Sequence, residues 1–235
     1  MPSVMAVTIH PTALKVLEML ALREHLEISG SPQTLEEMLV RQAAYLLDEA
    51  LPWQRGHGRR TAHIARSLGT AAGFSLEVLH HLTLAALLHD IGLLALPHHL
   101  ASHTGYLDVH SYAARQSHPR VGAQWLDRYR FLRPASVIIA HHHERWDGSG
   151  YPYGIRGTFI PLEARVLAIA DAFDAIEVPG VHDQQTRNRV AYRILKVAAG
   201  TQFDPQLVEL CGQACISELT GLDRPDRAHP IRSMW

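Results

Sequence analysis

Apolar residues recur every three or four positions through most of the chain, which is the spacing of one face of an α-helix. The first two such segments, 11–28 and 31–51, each begin near a proline that suits the first turn of a helix. Further helices are predicted at 58–73, 75–92, 118–129, 134–144, 161–176, 189–200 and 205–219. No repeated alternation of apolar and polar residues indicates strands. The pattern therefore predicts an all-α fold.

The predicted helices fall into three parts of the chain. Residues 1–52 hold only two of them, too few for an ordinary separate sensor domain, so they are predicted to form an N-terminal helical arm that acts as a lid or a dimerising element. Residues 53–222 form the main domain, and the polar, proline-containing residues 223–235 form a C-terminal tail. A homodimer through the arm is one arrangement that this division leaves open.

Charge and apolar runs argue against several classes of partner. The formal net charge is −1, which gives no basic surface for a nucleic acid polymer or a membrane. The most apolar stretch, 82–88, is far shorter than the ~20 residues of a membrane span, and the amino terminus lacks the pattern of a signal peptide. Two cysteines, Cys211 and Cys215, exclude a disulfide framework and are predicted to be reduced core thiols. We therefore expect a cytoplasmic protein.

Histidine is the unusual residue of the composition, with 17 copies, and neutral imidazole is the commonest metal ligand. Three consecutive histidines, 141–143, end one predicted helix. Another pair, His89 and Asp90, follows the most apolar stretch, where an unpaired carboxylate is very unfavourable. Asp90 therefore needs a metal, a cation or a proton. Taken alone, the pair is equally typical of a helix end bonded to backbone.

Further imidazoles and carboxylates complete a candidate ligand set: His57, His118, His142, His143 and Asp171. Such nitrogen and oxygen ligands suit iron, manganese or zinc, and no cysteine competes with them. A carboxylate beside a histidine can bridge two ions roughly 3.5–4 Å apart, and such a pair polarises a phosphoryl oxygen and generates a bridging hydroxide at neutral pH. The set therefore predicts phosphoester hydrolysis without a side-chain nucleophile.

Apart from His57, these residues lie in four motifs that follow one another along the chain, and a fifth motif comes after them. They are "HDIG" at 89–92, "HPRVG" at 118–122, "HHERWDGSGYP" at 142–152, "ARVLAIADAFDAI" at 164–176 and "AGTQFDPQLV" at 199–208. Over residues 56–208 the chain thus resembles the HD-GYP family of the HD phosphohydrolase superfamily. The resemblance implies a helical bundle around a binuclear metal centre. It also implies hydrolysis of cyclic di-GMP to pGpG or GMP in bacterial signalling.

Carried over by position, the resemblance implies a role for each motif residue. His57, His89, Asp90 and Asp171 surround one metal, while Asp90 bridges to a second metal held by His118, His142 and His143. His89 and Asp90 are then the catalytic pair. The cofactors are two divalent transition-metal ions, iron or manganese first and zinc or nickel as alternatives. Arg145, Gly150, Tyr151 and Pro152 are predicted to bind substrate, with a purely structural loop as the alternative, and His141 to be a packed neighbour.

The sequence departs from the family at its basic positions. Leu93 stands where a lysine usually follows "HDIG", and Gly180, Asp183 and Gln184 stand where further cations are expected. Arg145, Arg156, Arg187 and Arg189 are the residues available to substitute for them. Trp53 stands where some members carry a glutamate for a third metal, so two metals are predicted.

Three functions remain open at this point. The first is a phosphodiesterase that hydrolyses cyclic di-GMP through a metal-bridging hydroxide. The second is a binding or regulatory module with a retained metal site, weak or no turnover and GGDEF-domain proteins as partners. The third is hydrolysis of another phosphoester. Seven ligand positions favour retained hydrolysis, because binding alone would not need them all.

Overall fold

A computed structural model gives the fold and describes residues 10–25, 32–102, 108–181 and 183–218. These residues form eleven α-helices and no β-strand, which confirms the predicted all-α class. The helices are α1 Pro11–His25, α2 Pro32–Ala50, α3 His57–Ala71, α4 Leu76–Leu88, α5 His98–Ala101, α6 Val109–Arg115, α7 His118–Leu126, α8 Arg133–His141, α9 Leu162–Ala175, α10 Gln184–Val197 and α11 Pro205–Glu218. Short 3₁₀ helices occupy Pro52–Gln54, Ile91–Ala95, Arg130–Leu132 and Gly157–Phe159.

Two boundaries differ from the sequence-based prediction by four residues or more. The helix predicted over 75–92 ends at Leu88, and the apolar pattern continues into the 3₁₀ turn Ile91–Ala95. The helix predicted from residue 189 begins already at Gln184, because the carboxylate of Asp183 accepts hydrogen bonds from two main-chain N–H groups of the first turn. The short helices α5 and α6 were not predicted.

The hydrophobic core is one continuous cluster around α3, α4 and α9. Every residue of the apolar stretch 82–88 is buried. Within the described part of the chain, one stretch, Leu76–Ala95, is long and apolar enough to cross a membrane, and 83% of its apolar window is buried inside the fold. A helix at the centre of a protein core also has these properties. The cytoplasmic location stays a prediction.

The N-terminal helices α1 and α2 belong to this same core. Leu20 and Val40 are fully buried in it, and the hydroxyl of Tyr129 donates to the carbonyl of Leu17 at 2.7 Å. On α4, His80 Nε2 lies 3.1 Å from the carboxylate of Glu36 on α2. The boundary at residue 52 and the homodimer stay predictions. The predicted tail, 223–235, lies outside the described residues.

Candidate metal centre

All but one of the candidate ligands lie where helices begin or end. His57 is the first residue of α3, and it follows Gly56, whose φ of +74° places it in the left-handed region that favours glycine. His89 and Asp90 follow the end of α4, and His118 is the first residue of α7. His142 and His143 follow the end of α8, whereas Asp171 lies within α9. Five separate segments thus contribute to one place.

The seven predicted ligands form three overlapping groups, in each of which one ligand atom per residue lies within 4.8 Å of the others. The groups are His57, His89 and Asp171; His89, Asp90 and His142; and His118, His142 and His143. Asp90 lies between the outer groups, because its Oδ2 is 3.5 Å from His89 Nε2 and its Oδ1 is 3.3 Å from His118 Nε2. A carboxylate in this position can bridge two ions.

Main-chain carbonyls orient three of the imidazoles. The Nδ1–H groups of His89, His118 and His142 donate to the carbonyls of the residues three positions earlier, at 2.9, 2.8 and 2.7 Å. These hydrogen bonds leave Nε2 of each ring available for the shared centre. His141 instead bonds the carbonyl of Val137 and packs against the ring of Tyr153, with centroids 5.1 Å apart.

Unpaired buried atoms in the centre test whether a metal fits. His118 Nε2, His142 Nε2 and Asp171 Oδ1 are buried without a hydrogen bond, although Asp171 Oδ1 lies 3.0 Å from His57 Nε2 and His118 Nε2 lies 3.3 Å from Asp90 Oδ1. A buried polar atom left in this way costs about 1–3 kcal/mol. Divalent cations in the two halves of the centre would satisfy these atoms, and the nitrogen and oxygen chemistry of the ligands suits iron, manganese, nickel or zinc. The residues therefore fit a transition-metal centre.

Protonation states in the centre follow from its crowding of imidazoles and carboxylates. Burial alone would raise the pKa values of Asp90 and Asp171, but the neighbouring histidines outweigh it and hold both well below the usual range. Burial opposes protonation of His89 too, yet the two carboxylates raise its pKa to about 9. Burial and the adjacent imidazoles lower the pKa of His142 to about 3 and that of His143 well below its ordinary value. Ionised carboxylates and neutral imidazoles are the forms that ligate metals.

Three residues that the sequence analysis missed contact these ligands. Asp174 accepts a hydrogen bond from His57 Nδ1 at 2.8 Å, and Arg60 forms a two-pronged ion pair with Asp174. Gln54 donates from Nε2 to Oδ2 of Asp90. The signal for Asp174 and Arg60 was their spacing, three residues after Asp171 and His57. Gln54, rather than the neighbouring Trp53, is the residue of that segment that reaches Asp90.

The "GSGYP" segment forms a wall beside the centre. The N–H of Tyr151 donates to the carbonyl of His143 at 3.1 Å, and the two rings lie 4.9 Å apart with an angle of 32° between their planes. A β-carbon on Gly150 would lie 2.3 Å from the main-chain nitrogen of Arg145, so this close approach requires glycine. Pro152 follows Tyr151 through a cis peptide bond.

Arg145 and the residues at the positions where the family carries basic side chains have structural roles. Arg145 donates to the Ser149 hydroxyl and to Oε1 of Gln202, both at 2.9 Å, so it ties the loop to the segment around residue 202. Leu93 is 1% exposed and belongs to the hydrophobic core. Gln184 donates to the side chain of Asn188 at 2.7 Å, within the first turn of α10. The substrate-binding role of Arg145 stays a prediction.

The fold and the clustered ligands define an all-α protein with a candidate binuclear metal centre. The HD domain family matches residues 41–207, and the chain belongs to this family. It is 35% identical over 175 residues to the cyclic di-GMP phosphodiesterase response regulator RpfG of Xanthomonas campestris pv. campestris. The matched region covers 73% of this chain and 46% of that protein. The HD-GYP resemblance is thereby confirmed.

Two proteins of Vibrio cholerae are also similar. The chain is 35% identical over 156 residues to 3'3'-cGAMP-specific phosphodiesterase 2, covering 66% of this chain and 30% of that protein. The crystal structure of the cyclic GMP-AMP specific phosphodiesterase V-cGAP3 has a TM-score of 0.58 and 25% identity, over 78% of this chain and 49% of that chain. The chain thus spans less than half the length of these relatives.

Proposed function

We propose that this protein is a metal-dependent phosphodiesterase that hydrolyses cyclic di-GMP to pGpG or GMP. The observation that carries the proposal is the convergence of seven imidazole and carboxylate groups, three of whose buried atoms lack a hydrogen bond. The names of the relatives, which act on cyclic di-GMP and on 3'3'-cGAMP, support the substrate class.

The metal cofactors of this proposal are two divalent transition-metal ions. Iron or manganese suits the nitrogen and oxygen ligands first, with zinc or nickel as alternatives. His57, His89 and Asp171 would hold one ion and His118, His142 and His143 the other, with Asp90 shared between them. When bound, two such ions polarise a phosphoryl oxygen and lower the pKa of water, which supplies the nucleophile at neutral pH.

The protein's own residues orient and enclose this chemistry. Asp90 offers one oxygen to each half of the centre, and the main-chain hydrogen bond of His89 keeps its Nε2 directed inward. These two residues are the proposed catalytic pair. Tyr151 offers a hydroxyl group and a flat ring beside His143, which suits contact with a nucleotide base or phosphate. No side chain is required to attack phosphorus.

A second function is favoured by the absence of the basic side chains that the family carries near its substrate. Leu93 is buried in the core, Arg145 is engaged with Gln202, and Asp183 caps α10. Hydrogen bonds to charged groups contribute about 1.5–3 kcal/mol each, so losing several would slow turnover by orders of magnitude. Under this second proposal the chain binds a cyclic dinucleotide, or a GGDEF-domain protein, without efficient hydrolysis.

The deciding experiment measures metal content and hydrolysis together. Protein purified anaerobically is analysed for iron, manganese, nickel and zinc, then incubated with cyclic di-GMP or 3'3'-cGAMP while linear products are separated chromatographically. Asp90→Asn keeps the size of the side chain but removes its charge. Asp204→Asn is the matched control, because Asp204 is also an aspartate with little exposure, but its carboxylate pairs with Arg165 at 2.6 Å.

If the chain is the proposed phosphodiesterase, we expect about two metals per chain. Turnover should be lost in Asp90→Asn and kept in Asp204→Asn. Two metals with dinucleotide binding but no turnover would favour the second function. Hydrolysis of 3'3'-cGAMP alone would correct the substrate. A chain that takes up none of the four metals would exclude both functions.

A further inference from the structure

His57 differs from the other oriented histidines of the centre in what lies behind its ring. The Nδ1–H groups of His89, His118 and His142 donate to neutral main-chain carbonyls, whereas that of His57 donates to the carboxylate of Asp174 at 2.8 Å. The bond is buried, since His57 is 3% and Asp174 2% exposed. A carboxylate behind a metal-binding histidine fixes its tautomer and raises its basicity as a ligand.

Asp174 is itself held rigidly. Nε and Nη2 of Arg60 donate to its two carboxylate oxygens at 2.8 and 3.0 Å, and Nη1 donates to the carbonyl of Arg55 at 3.2 Å. Arg60 is also buried. A planar guanidinium that binds both oxygens leaves the carboxylate a single orientation. The position of the His57 ring is therefore determined by an ion pair and not by a flexible contact.

Two packed helices build this arrangement with one spacing. On α3, Arg60 lies three residues after His57, and on α9, Asp174 lies three residues after Asp171, so each pair shares a helix face. The front pair meets where His57 Nε2 is 3.0 Å from Asp171 Oδ1, and the rear pair meets in the Arg60–Asp174 contact. The same helix packing thus aligns a candidate ligand pair and its support.

We propose that Asp174, held by Arg60, is a positioning residue that makes the two metal positions unequal. It fixes His57 with Nε2 toward the centre, so the position formed by His57, His89 and Asp171 binds its metal more tightly and fills first. The position formed by His118, His142 and His143 fills second, because the Nδ1–H groups of His118 and His142 donate to neutral main-chain carbonyls. The inference rests on the metal binding of the proposed function.

The test titrates the metal-free 235-residue chain with Mn²⁺, following heat by calorimetry and unbound Mn²⁺ by electron paramagnetic resonance. Asp171→Asn and His118→Gln assign the two binding steps, because each removes a ligand of one position only. Asp174→Asn then tests the proposal, with Asp204→Asn as the control for loss of a buried carboxylate paired with arginine. The double variant Arg60→Gln/Asp174→Asn removes the whole ion pair, which avoids leaving a buried guanidinium unpaired.

Wild-type protein is expected to bind in two steps, of which Asp171→Asn removes the tighter. Asp174→Asn and the double variant are expected to weaken that step about 10–100-fold and to leave the weaker step unchanged. Circular dichroism of both variants shows whether they fold, and the double variant decides if the single one does not. Unchanged affinity in both steps, or a loss confined to the second step, overturns the inference while the proposed function stands. A wild-type chain that binds no Mn²⁺ overturns both.

Discussion

Gly92 and His118 touch through their main chains. A β-carbon built on Gly92 would lie 2.0 Å from the carbonyl oxygen of His118 and 2.8 Å from the nitrogen of Gly122. Main-chain atoms cannot yield at that distance, so only glycine allows the turn after Asp90 to pack on the first turn of α7. This packing holds His118 Nε2 at 3.3 Å from Asp90 Oδ1.

The substitution Gly92→Ala should therefore displace α7 and empty one half of the centre. We expect metal content to fall from about two ions to about one per chain while helical circular dichroism is kept, measured by elemental analysis. Gly122→Ala is the graded control, since its β-carbon would meet the Ile91 side chain at 3.1 Å and the main-chain nitrogen of Gly92 at 3.2 Å, contacts that a shift of a few tenths of an ångström relieves. Two ions retained in Gly92→Ala would show that the close approach does not fix His118.

Metal affinity should rise with pH through the neutral range. The pKa of His89 in the metal-free protein is raised from 6.5 to about 9, so near pH 7 this ring carries a proton that a metal must displace. The carboxylates of Asp90 and Asp171 are already ionised, and His142 and His143 are already neutral. These four residues therefore release no proton when a metal binds. The apparent affinity should increase up to about tenfold per pH unit until pH ~9.

The contribution of His89 to the stability of the metal-free chain should change in the opposite direction. A raised pKa contributes stability that is complete below 6.5, the ordinary value, and is lost as pH rises toward about 9. Calorimetric titration with Mn²⁺ between pH 6.5 and 8.5, in buffers of different ionisation enthalpy, should show proton release. Thermal unfolding of chelator-treated protein over the same pH range should show stability that falls as pH rises. A metal affinity independent of pH would mean that His89 is neutral before binding.

The N-terminal helices should contribute to global stability. Leu20 on α1 is fully buried in the common core, whereas Leu22, two residues later, is 54% exposed. Leu20→Ala is expected to lower the free energy of unfolding by about 2–5 kcal/mol, and Leu22→Ala by less than about 0.5 kcal/mol. Urea unfolding followed by circular dichroism measures both. Equal small effects would indicate an arm that unfolds independently of the main domain.

The sequence predicted the parts of the centre that depend on residue type and order. All seven candidate ligands are histidines or aspartates in recognisable motifs, and the structure brings them together. The end of α4 was missed because the apolar pattern continues through Leu93 and Leu94, which are buried in a 3₁₀ turn just as they would be in a helix. The Arg60–Asp174 pair depends on how α3 meets α9, which periodicity within either helix does not reveal.

Tyr151 is expected to act as a hydrogen-bond donor and a platform, not as a base. Burial, and after it the nearby Tyr112, raise the pKa of its phenol above the ordinary value of 10, so the hydroxyl stays protonated through the working range. If it donates to a substrate phosphate, Tyr151→Phe should lower kcat/KM by about 10–150-fold, the equivalent of about 1.5–3 kcal/mol, without changing the shape of the pH profile between 7 and 9. Tyr151→Ala should lower it further by removing the ring beside His143.

The matched control for this prediction is Tyr153→Phe. Tyr153 lies on the same loop but is 55% exposed and packs against His141, outside the ligand groups. Steady-state hydrolysis of cyclic di-GMP by the three variants, followed from pH 7 to 9, should leave Tyr153→Phe within about twofold of wild type, as expected for a surface hydroxyl. If Tyr151→Phe instead removed an alkaline limb of the pH profile, Tyr151 would titrate during turnover. The prediction that its phenol stays protonated would then be wrong.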